Sequence, residues 1–446
     1  MASVNATADC NEVKEVKDEP VVKLPKGKRL FYMAILYLLF CFDLAIRYGV
    51  NAILPAIRAD LGISATEAGI LSSAVFLGMA IFVMPFSYLG EQKSQRRTIS
   101  LCAILWSGVT VACGFAGNVL TLAACRFGVG AGNSAYAALS TAMLTSWYKK
   151  SSWGATLGLY NTAMTIGGII GMILFAAVAD TMGWRMSFYI VGGISLVVSL
   201  LSLLLPDNKK LMDEQAAAAA AEGDKNEVKQ VKLNLADTFK MLLGNKSLLI
   251  MCFAAGFAVM TLNISSTFQS TYFVEGMGMS LTEAAAIATL STPISLIVCP
   301  LGGVVLDKWY KKDRRARMWM PMICIAVTAV LLCLGYKMGN IPMIVLGTAA
   351  YNMGNTSFHT SCHDLVPVWY KSVSYGVYVL FIQLLGAAGP ILGGILIDAL
   401  GIGAAMPLGM TFFAISAVLL IFAGLTYNKC WQAARDAEKA AGVCAE

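Results

Sequence analysis

The sequence predicts an all-α membrane protein with twelve transmembrane helices in two pseudo-symmetric six-helix bundles. The 446-residue chain is 58% hydrophobic and 13% charged, with a mean hydropathy of +0.69, which lies outside the range of soluble globular domains. Apolar stretches of about 20 residues, enough to cross a ~30 Å hydrocarbon core as helices, recur along the chain. The third observation is that the two halves of the chain share sequence, as described below.

The apolar stretches predict twelve spans, which fall at 31–56, 68–90, 98–116, 119–146, 152–178, 186–205, 247–273, 282–306, 318–337, 342–366, 373–397 and 404–427. The predicted organisation is an N-terminal tail, a six-helix bundle, a polar linker, a second six-helix bundle and a C-terminal tail, at 1–30, 31–205, 206–246, 247–427 and 428–446. Twelve cysteines are scattered without a CxxC pair or a His/Cys ligand spacing. They indicate neither a disulfide framework nor a metal site, and no cofactor is expected.

The basic residues predict the orientation of the chain. If the N-terminus is inside, 28 of the 33 Lys and Arg residues lie in inner segments, and only Arg58, Arg185 and Lys337 lie in outer loops. This is the positive-inside pattern, so both termini are expected to be cytoplasmic in a multi-pass protein of the plasma (inner) membrane. The net charge of +7 reflects this topology and does not indicate nucleic-acid binding.

The two halves resemble each other at two places with the spacing preserved. LGISATEAGIL from Leu61 matches MGMSLTEAAAI from Met277, at an offset that also carries Glu91 onto Asp307. Further along, GNS at 132–134 matches GNT at 354–356. Parallel six-helix repeats of this kind place a binding site at mid-membrane between the halves of alternating-access carriers.

At this point the chain resembles transporters of the major facilitator superfamily over essentially its whole length. The loop GVVLDKWYKKDRR after the eighth span is similar to the family's G-x-x-x-D-[RK] signature. Its counterpart SYLGEQKSQRR departs from the signature at Ser87, Glu91 and Gln92, which replace glycine, aspartate and arginine. The resemblance implies that Glu91 and Asp307 pair with basic groups of neighbouring helices and latch one conformational state.

Two branches of the superfamily are most similar. IRYGVNAILPAI around Arg47 and YNTAMTIGG from Tyr160 resemble the organophosphate:phosphate antiporters, while Arg47, Arg126 and TSWY at 145–148 resemble the anion:cation symporters. The resemblance implies that Arg47 holds an anionic substrate and that Tyr160 lies near it. The sequence departs from these families where it has Asn263 for a second arginine, Met164 for a histidine and Asn133 for a proton-binding glutamate. A carboxylate is therefore expected rather than a doubly charged phosphate ester.

Arg47 and Arg126 are the strongest candidate site residues, because each is a cation inside an apolar span. An ionised side chain at that depth costs several kcal/mol unless it faces a partner or a polar cavity. Arg47 can pair with Asp43 one turn earlier, and that pair serves either folding alone or proton coupling, because Asp43 is the only deeply buried acid of the first half. Arg126 suits bidentate carboxylate binding, although it can also bind backbone carbonyls of the cavity wall.

Further polar residues of the spans are candidates for lining the substrate cavity. Matching positions of the repeat supply Asn133 with Asn355, Asn161 with Gln383, and Asn263 opposite Arg47. Amide hydrogen bonds between helices are an equally good interpretation of these residues. The only histidines, His359 and His363, lie one turn apart on the tenth span, where His359 is a candidate for substrate contact or a proton path.

These expectations define a secondary active transporter, and not an enzyme, for a small organic anion such as a carboxylate or sugar acid. Proton-coupled symport by alternating access is the leading mechanism, with a monomer in the lipid bilayer and protons as the coupling ion. Exchange of one anion for another, carboxylate or phosphate ester, is the alternative. A third interpretation is a substrate sensor of the same fold that does not transport.

Overall fold

The computed structural model describes residues 22, 24–208, 210–211, 244–367 and 371–440. Within these ranges the regular structure is entirely helical, and we number the α-helices in chain order. They are α1 (Lys26–Leu61), α2 (Ala65–Gln92), α3 (Gln95–Cys113), α4 (Val119–Asn133), α5 (Tyr136–Trp147), α6 (Trp153–Met182), α7 (Trp184–Leu201), α8 (Lys246–Thr271), α9 (Leu281–Thr289), α10 (Ser291–Tyr310), α11 (Ala316–Met338), α12 (Ile341–Asp364), α13 (Lys371–Leu400), α14 (Ile402–Met410) and α15 (Phe412–Ala440). The first half here means the described residues up to 211, and the second half means those from 244.

In the described ranges, nine helical stretches are long and apolar enough to cross a membrane. The helices of the third, fourth and tenth predicted spans are not among the nine, so the count of twelve spans stays a prediction. The fourth span is interrupted because α4 ends at Asn133 and α5 begins at Tyr136. At this break the Ser134 hydroxyl donates to the carbonyl of Ala131 (2.7 Å), a local bond that competes with continuation of the helix.

The predicted boundaries of the linker and tails can be compared with the described residues only in part. Residues 209 and 212–243 of the predicted linker lie outside the described residues. At the C-terminus, α15 continues without interruption through the predicted boundary between 427 and 428. The start of the predicted tail therefore continues the helix of the last predicted span, and that span is itself divided between α14 and α15 at Thr411.

The sequence repeat corresponds to a repeated helix start. Ser64 and Ser280 are the N-caps of α2 and α9, and each forms a capping box with the glutamate three residues later, Glu67 or Glu283. Both serines follow a turn with a glycine at positive φ, +62° and +71°, a conformation that favours glycine. Both matched stretches therefore encode a glycine turn followed by a capped helix.

Close packing in the first half positions α1, the helix that carries Arg47. A Cβ added at Gly171 of α6 would lie 2.2 Å from the Cα of Ala45, so only glycine permits this approach of α6 to α1. The buried core around this contact includes Phe40, Trp106 and Phe175. A separate buried cluster, made mostly of second-half residues, fills the second half. Arg47 is thus held on a helix that is packed along most of its length.

The two halves meet at the end of the bundle away from Lys26 and Ala440, which we call the far end; the opposite end is the terminal end. At the far end the Arg58 guanidinium donates to both carboxylate oxygens of Glu275, at 2.7 and 2.9 Å. A Cβ at Gly69 would lie 2.2 Å from the carbonyl oxygen of Pro390, so α2 and α13 approach closely there. The halves are therefore joined firmly at the far end.

Two carboxylates strengthen this contact by accepting from helix N-termini of the opposite half. Asp398 of α13 accepts from the backbone N–H groups of Ala65 and Thr66, both at 2.8 Å, and from the Thr66 hydroxyl at 2.5 Å. Asp180 of α6 accepts from the backbone N–H and hydroxyl of Thr282, at 2.9 and 2.5 Å. Anions are stabilised at helix N-termini, so each carboxylate both caps a helix and joins the halves.

Candidate functional site

Arg47 and Asp43 form an ion pair in the middle of α1. The Arg47 Nη2 lies 3.7 Å from the Asp43 Oδ1, and the two side chains are 18% and 2% exposed. This distance is too long for a hydrogen bond, and within the described chain the Asp43 Oδ1 has no hydrogen-bond partner. Arg47 keeps access to solvent while Asp43 does not. The pair therefore leaves unused hydrogen-bonding capacity on both side chains.

Arg126 is a buried cation with unused donors. Its side chain on α4 is among the largest fully buried side chains, and its Nε and Nη1 have no partner among the described residues. Asn133 lies two turns later on the same helix, is 2% exposed, and has neither amide atom paired in the described part. Arg47 is close enough to repel Arg126 electrostatically. The first half thus holds two neighbouring guanidinium groups with incomplete compensation.

A cavity of about 270 Å³ lies between the halves, and Arg47, Arg126 and Asn133 are not among the residues that line it. Helices α1 and α6 of the first half and α8, α9, α10 and α12 of the second half contribute its walls. Tyr48 and Asn51, which line it, follow Arg47 on α1 by one and four residues. Hydroxyl and amide groups dominate the polar lining, and they come from Tyr48, Asn51, Thr165, Ser266, Gln269, Thr289, Ser291, Thr292, Thr348 and Asn352.

Two predicted site residues of α6 lie in different environments. Tyr160 is buried, shares a hydrogen bond of 2.7 Å with the Ser140 hydroxyl and stacks on Phe40 at 4.8 Å between ring centroids. Asn161 is exposed and lies one turn before Met164 and Thr165, which line the cavity. Asn161 therefore shares the cavity face of α6, whereas Tyr160 packs behind it.

The predicted amides of the second half are used in helix contacts in this conformation. Asn263 of α8 donates to the carbonyl oxygen of Gly386 on α13, at 3.0 Å. Gln383 of α13 lies 3.9 Å from the Met79 sulfur of α2, across the boundary between the halves. Asn355 on α12 is half-buried.

The remaining predicted residues are away from the cavity or outside the described side chains. The side chains of His359 and Glu91 lie outside the described part. Asp307 is exposed near the terminal end of α10. His363 is half-buried and stacks on Tyr375, with 5.7 Å between ring centroids. Among the described residues, no group of three or more His, Cys, Asp or Glu side chains is arranged to hold a metal ion.

The prediction from sequence missed three amides of the cavity wall, namely Asn51, Gln269 and Asn352. Asn51 was detectable, because it lies one helical turn after Arg47 and so shares its face. Gln269 and Asn352 carry no comparable signal, since neither matches a polar residue in the repeat. Asn352 is held in place by donating to the Ser295 hydroxyl of α10 at 2.9 Å.

Comparison with known proteins shows which family this chain belongs to. Residues 33–390 match the family model described as Major Facilitator Superfamily. The hexuronate transporter of Bacillus subtilis is 23% identical over 80% of this chain and 85% of the relative. A "Probable galactarate/D-glucarate transporter" of the same organism is 25% identical over 84% and 88%. A "Probable sulfoacetate transporter" of Cupriavidus necator is 23% identical over 64% of this chain and 66% of the relative, just under two thirds.

Solved structures show the same fold. A bacterial homologue of the human lysosomal transporter Spinster, in an inward-facing and unoccupied conformation, superposes with a TM-score of 0.79 at 19% identity, over 91% of this chain and 99% of the other. The nucleoside transporter NupG superposes with a TM-score of 0.69 at 14% identity, over 89% and 99%. At such identities the likeness concerns the arrangement of the helices.

Proposed function

Because the chain belongs to the major facilitator superfamily, we propose that it is a secondary active transporter of a small organic anion, a carboxylate or sugar acid, that works by alternating access. Membership of the family makes the chain a multi-pass membrane transporter and not an enzyme. The nature of the solute, its coupling and its direction are the subject of the proposal.

The main support for an anionic solute is the incompletely paired guanidinium group of Arg126. A buried charge without hydrogen bonds is costly, so unused donors at this depth favour an occupant that accepts from them. Asn133, whose two amide atoms have no partner in the described part of the chain, adds a second donor on the same face of α4. A carboxylate accepts from such a set, and the planar guanidinium suits it in bidentate geometry.

The charges near the cavity favour a monoanion. Arg47 and Arg126 supply two positive charges and Asp43 supplies one negative charge. The net charge of these three side chains is therefore neutralised by one carboxylate or sulfonate. A doubly charged phosphate ester carries more negative charge than they balance, unless Asp43 is protonated. This agrees with the expectation that a carboxylate is the solute.

The cavity lining favours a solute with several hydroxyl groups. Amides and hydroxyls from both halves face a space of about 270 Å³, just below the usual size of small-molecule sites, and each can donate or accept. The relative described as a hexuronate transporter is named for a polyhydroxylated monoanion, whereas the probable galactarate/D-glucarate and sulfoacetate transporters are named for dianions. We therefore propose a sugar acid as the leading substrate class.

Uptake by the purified protein in proteoliposomes tests this proposal. A hexuronate is expected to accumulate in the vesicles, because its carboxylate meets Arg47 and Arg126 while its hydroxyls meet the cavity wall. The matched control is the neutral hexose of the same configuration, which carries a CH2OH group in place of the carboxylate. Equal uptake of hexose and hexuronate would refute an anion carrier, and saturable binding of the acid without uptake would indicate a sensor.

We propose that the structure represents the state open to the terminal end. The far-end contacts between the halves, and the likeness to a structure described as inward-facing, both support this assignment. Alternating access then requires the contacts of Asp398 and Asp180 to break on each cycle. Their strength sets the population of the opposite state.

Replacing both capping carboxylates, Asp180→Ala with Asp398→Ala, is expected to shift the equilibrium toward opening at the far end. A carboxylate cap contributes about 1 kcal/mol, so losing two shifts the populations by about thirtyfold. Hydrogen–deuterium exchange of the packed segments 69–77 and 386–394 is expected to become faster. The control is Glu67→Ala with Glu283→Ala, which removes capping acids from α2 and α9 without touching the opposite half. Equal acceleration in both variants would show that the cross-half caps have no special role.

We propose proton symport as the coupling mechanism, with Asp43 as the proton-binding residue. Its carboxylate is buried, and its Oδ1 lies near Arg47 without a hydrogen bond, so a substrate carboxylate can replace it as the partner of Arg47. Protonation of Asp43 then removes the like-charge repulsion between the two carboxylates. Anion exchange is the second candidate, because the sequence places no comparable acid deep in the second half.

We propose that the terminal end is cytoplasmic and that the protein is a monomer in the plasma membrane. Basic residues lie at the terminal end, as the positive-inside pattern requires. They are Lys308 in the last turn of α10, Lys311 and Lys312 in the α10–α11 loop, and Lys429 and Arg435 in the second half of α15. The five-part organisation of the chain given above stays a prediction.

A further inference from the structure

A second cavity, of about 370 Å³, lies at the terminal end, where the loop between α10 and α11 meets α15. Its walls are formed by Tyr310 at the end of α10, by the four loop residues 311–314, and by Asn428, Trp431 and Gln432 of α15. None of these residues lines the cavity between the halves. We call this cavity the loop pocket.

The loop pocket is basic, and its wall includes a polar group that has no partner among the described residues. Lys311, Lys312 and Arg314 are exposed at its wall, and the Arg314 guanidinium lies 3.7 Å from the centre of the Trp431 ring. The Trp431 Nε1 is buried and, among the described residues, has no acceptor. The acid of the wall, Asp313, already accepts from the backbone N–H of Arg315 at 2.9 Å. The pocket therefore offers several donors to an anion.

Hydrogen bonds hold the pocket wall in place before any ligand arrives. The Tyr310 hydroxyl donates to the Asp364 Oδ2 at 3.0 Å, and the Tyr427 hydroxyl donates to the same oxygen at 3.1 Å. Arg317 pairs with Asp364 and lies over the Tyr310 ring, 4.1 Å from its centre. A site that is already ordered loses little entropy on binding.

An apolar stripe on α15 leads away from the loop pocket. Ile415, Val418, Phe422 and Leu425 are 41 to 56% exposed and are spaced to share one helix face. The opposite face is packed, since the Ser416 hydroxyl donates to the carbonyl oxygen of Ala254 on α8 at 2.6 Å. The stripe is about 15 Å long, which is half of a ~30 Å hydrocarbon core. Asn428, in the pocket wall, follows the last residue of the stripe by three positions.

We propose that the loop pocket binds the phosphate headgroup of an anionic phospholipid, with an acyl chain along the stripe of α15. The recognised chemistry is a phosphate that accepts from Lys311, Lys312, Arg314 and the Trp431 N–H. Basic pockets at the cytoplasmic ends of membrane helices bind anionic headgroups in this manner. The stripe favours a lipid over a free phosphate, because it supplies one leaflet's depth of apolar surface directly above the pocket.

Native mass spectrometry of the full chain in mixed micelles tests the proposal. Phosphatidylglycerol is expected to be retained, and phosphatidylcholine, whose headgroup carries no net charge, is expected to be lost. Lys311→Gln with Lys312→Gln is expected to weaken phosphatidylglycerol binding by about thirtyfold, because two cations near the phosphate are removed. Trp431→Phe, which keeps the ring and removes one donor, is expected to weaken binding by about fivefold.

The matched control is Lys93→Gln with Arg97→Gln, which removes two exposed charges at the corresponding place of the first half, one after α2 and one in the first turn of α3. This variant is expected to retain phosphatidylglycerol as the unmodified chain does. The pocket assignment would be overturned if the control variant lost as much phosphatidylglycerol binding as the Lys311→Gln, Lys312→Gln variant. Equal retention of phosphatidylglycerol and phosphatidylcholine by the unmodified chain would also overturn it. A second arm adds inorganic phosphate without lipid, and binding as strong as that of phosphatidylglycerol would assign the pocket to a soluble phosphate instead. Thermal unfolding of each variant separates lost binding from lost folding.

Discussion

The Arg47→Ala variant is expected to lose uptake of its anionic substrate by about a hundredfold, with folding preserved. Arg47 retains solvent access beside the cavity, and its pairing with Asp43 at 3.7 Å leaves its donors available to a carboxylate. Losing one partner of a desolvated, charge-assisted contact costs about 3 kcal/mol, which corresponds to about a hundredfold in affinity. Initial uptake rates into proteoliposomes at subsaturating substrate measure the effect.

Two further variants make this result specific to the position. Arg47→Lys keeps the charge but not the planar fork, and is expected to recover part of the uptake, since a point charge still attracts the carboxylate. Arg185→Ala is the control, because it removes an exposed arginine that pairs with Asp60 at the far end. Uptake by Arg47→Ala at the level of Arg185→Ala would refute the assignment of Arg47 to the substrate.

The Asp43→Asn variant is expected to abolish substrate accumulation driven by a pH gradient. The amide cannot release a proton, so the energy of the gradient is no longer transmitted to the solute. Exchange of internal for external substrate is expected to persist, because the cations that hold the anion remain. Accumulation in vesicles with and without an imposed pH gradient, compared with counterflow in preloaded vesicles, measures both properties.

The matched control for this experiment is Asp60→Asn, on the same helix. Asp60 is exposed and pairs with Arg185 at 2.6 Å, so its loss removes an acid of α1 without touching the buried pair. Proton-driven accumulation that survives in Asp43→Asn at the level of Asp60→Asn would exclude Asp43 as the coupling residue. Retained counterflow together with no pH response in the unmodified chain would favour anion exchange.

Local signals in the sequence were sufficient for the helical class and for the repeated helix starts. The matched stretches from Leu61 and Met277 encode a glycine turn and a capping box, and these features depend only on neighbouring residues. The break between α4 and α5 was not predicted, because the hydropathy of this segment continues through Ser134. There a side-chain bond to Ala131 competes with the helix.

The candidate site was predicted less completely, because the direction of a side chain depends on the packing of its helix. Asn161 and Tyr160 are neighbours in sequence, yet one shares the cavity face and the other is buried against Phe40. The sequence repeat predicted that Asn263 corresponds to Arg47. It did not predict that the Asn263 amide donates to the Gly386 carbonyl. Gln269 and Asn352 line the cavity without any signal from the repeat.

The sequence by itself determined the membrane class, the family and the two arginines inside apolar spans, since these follow from hydropathy, local motifs and the cost of a charge in an apolar span. Only the tertiary structure decided which polar side chains face one another across the halves and which join them at the far end. Asp398 and Thr66 are hundreds of residues apart in sequence, and they meet because glycines let α2 and α13 approach. Contacts of that kind depend on the packing of whole helices, which no local pattern of residues contains.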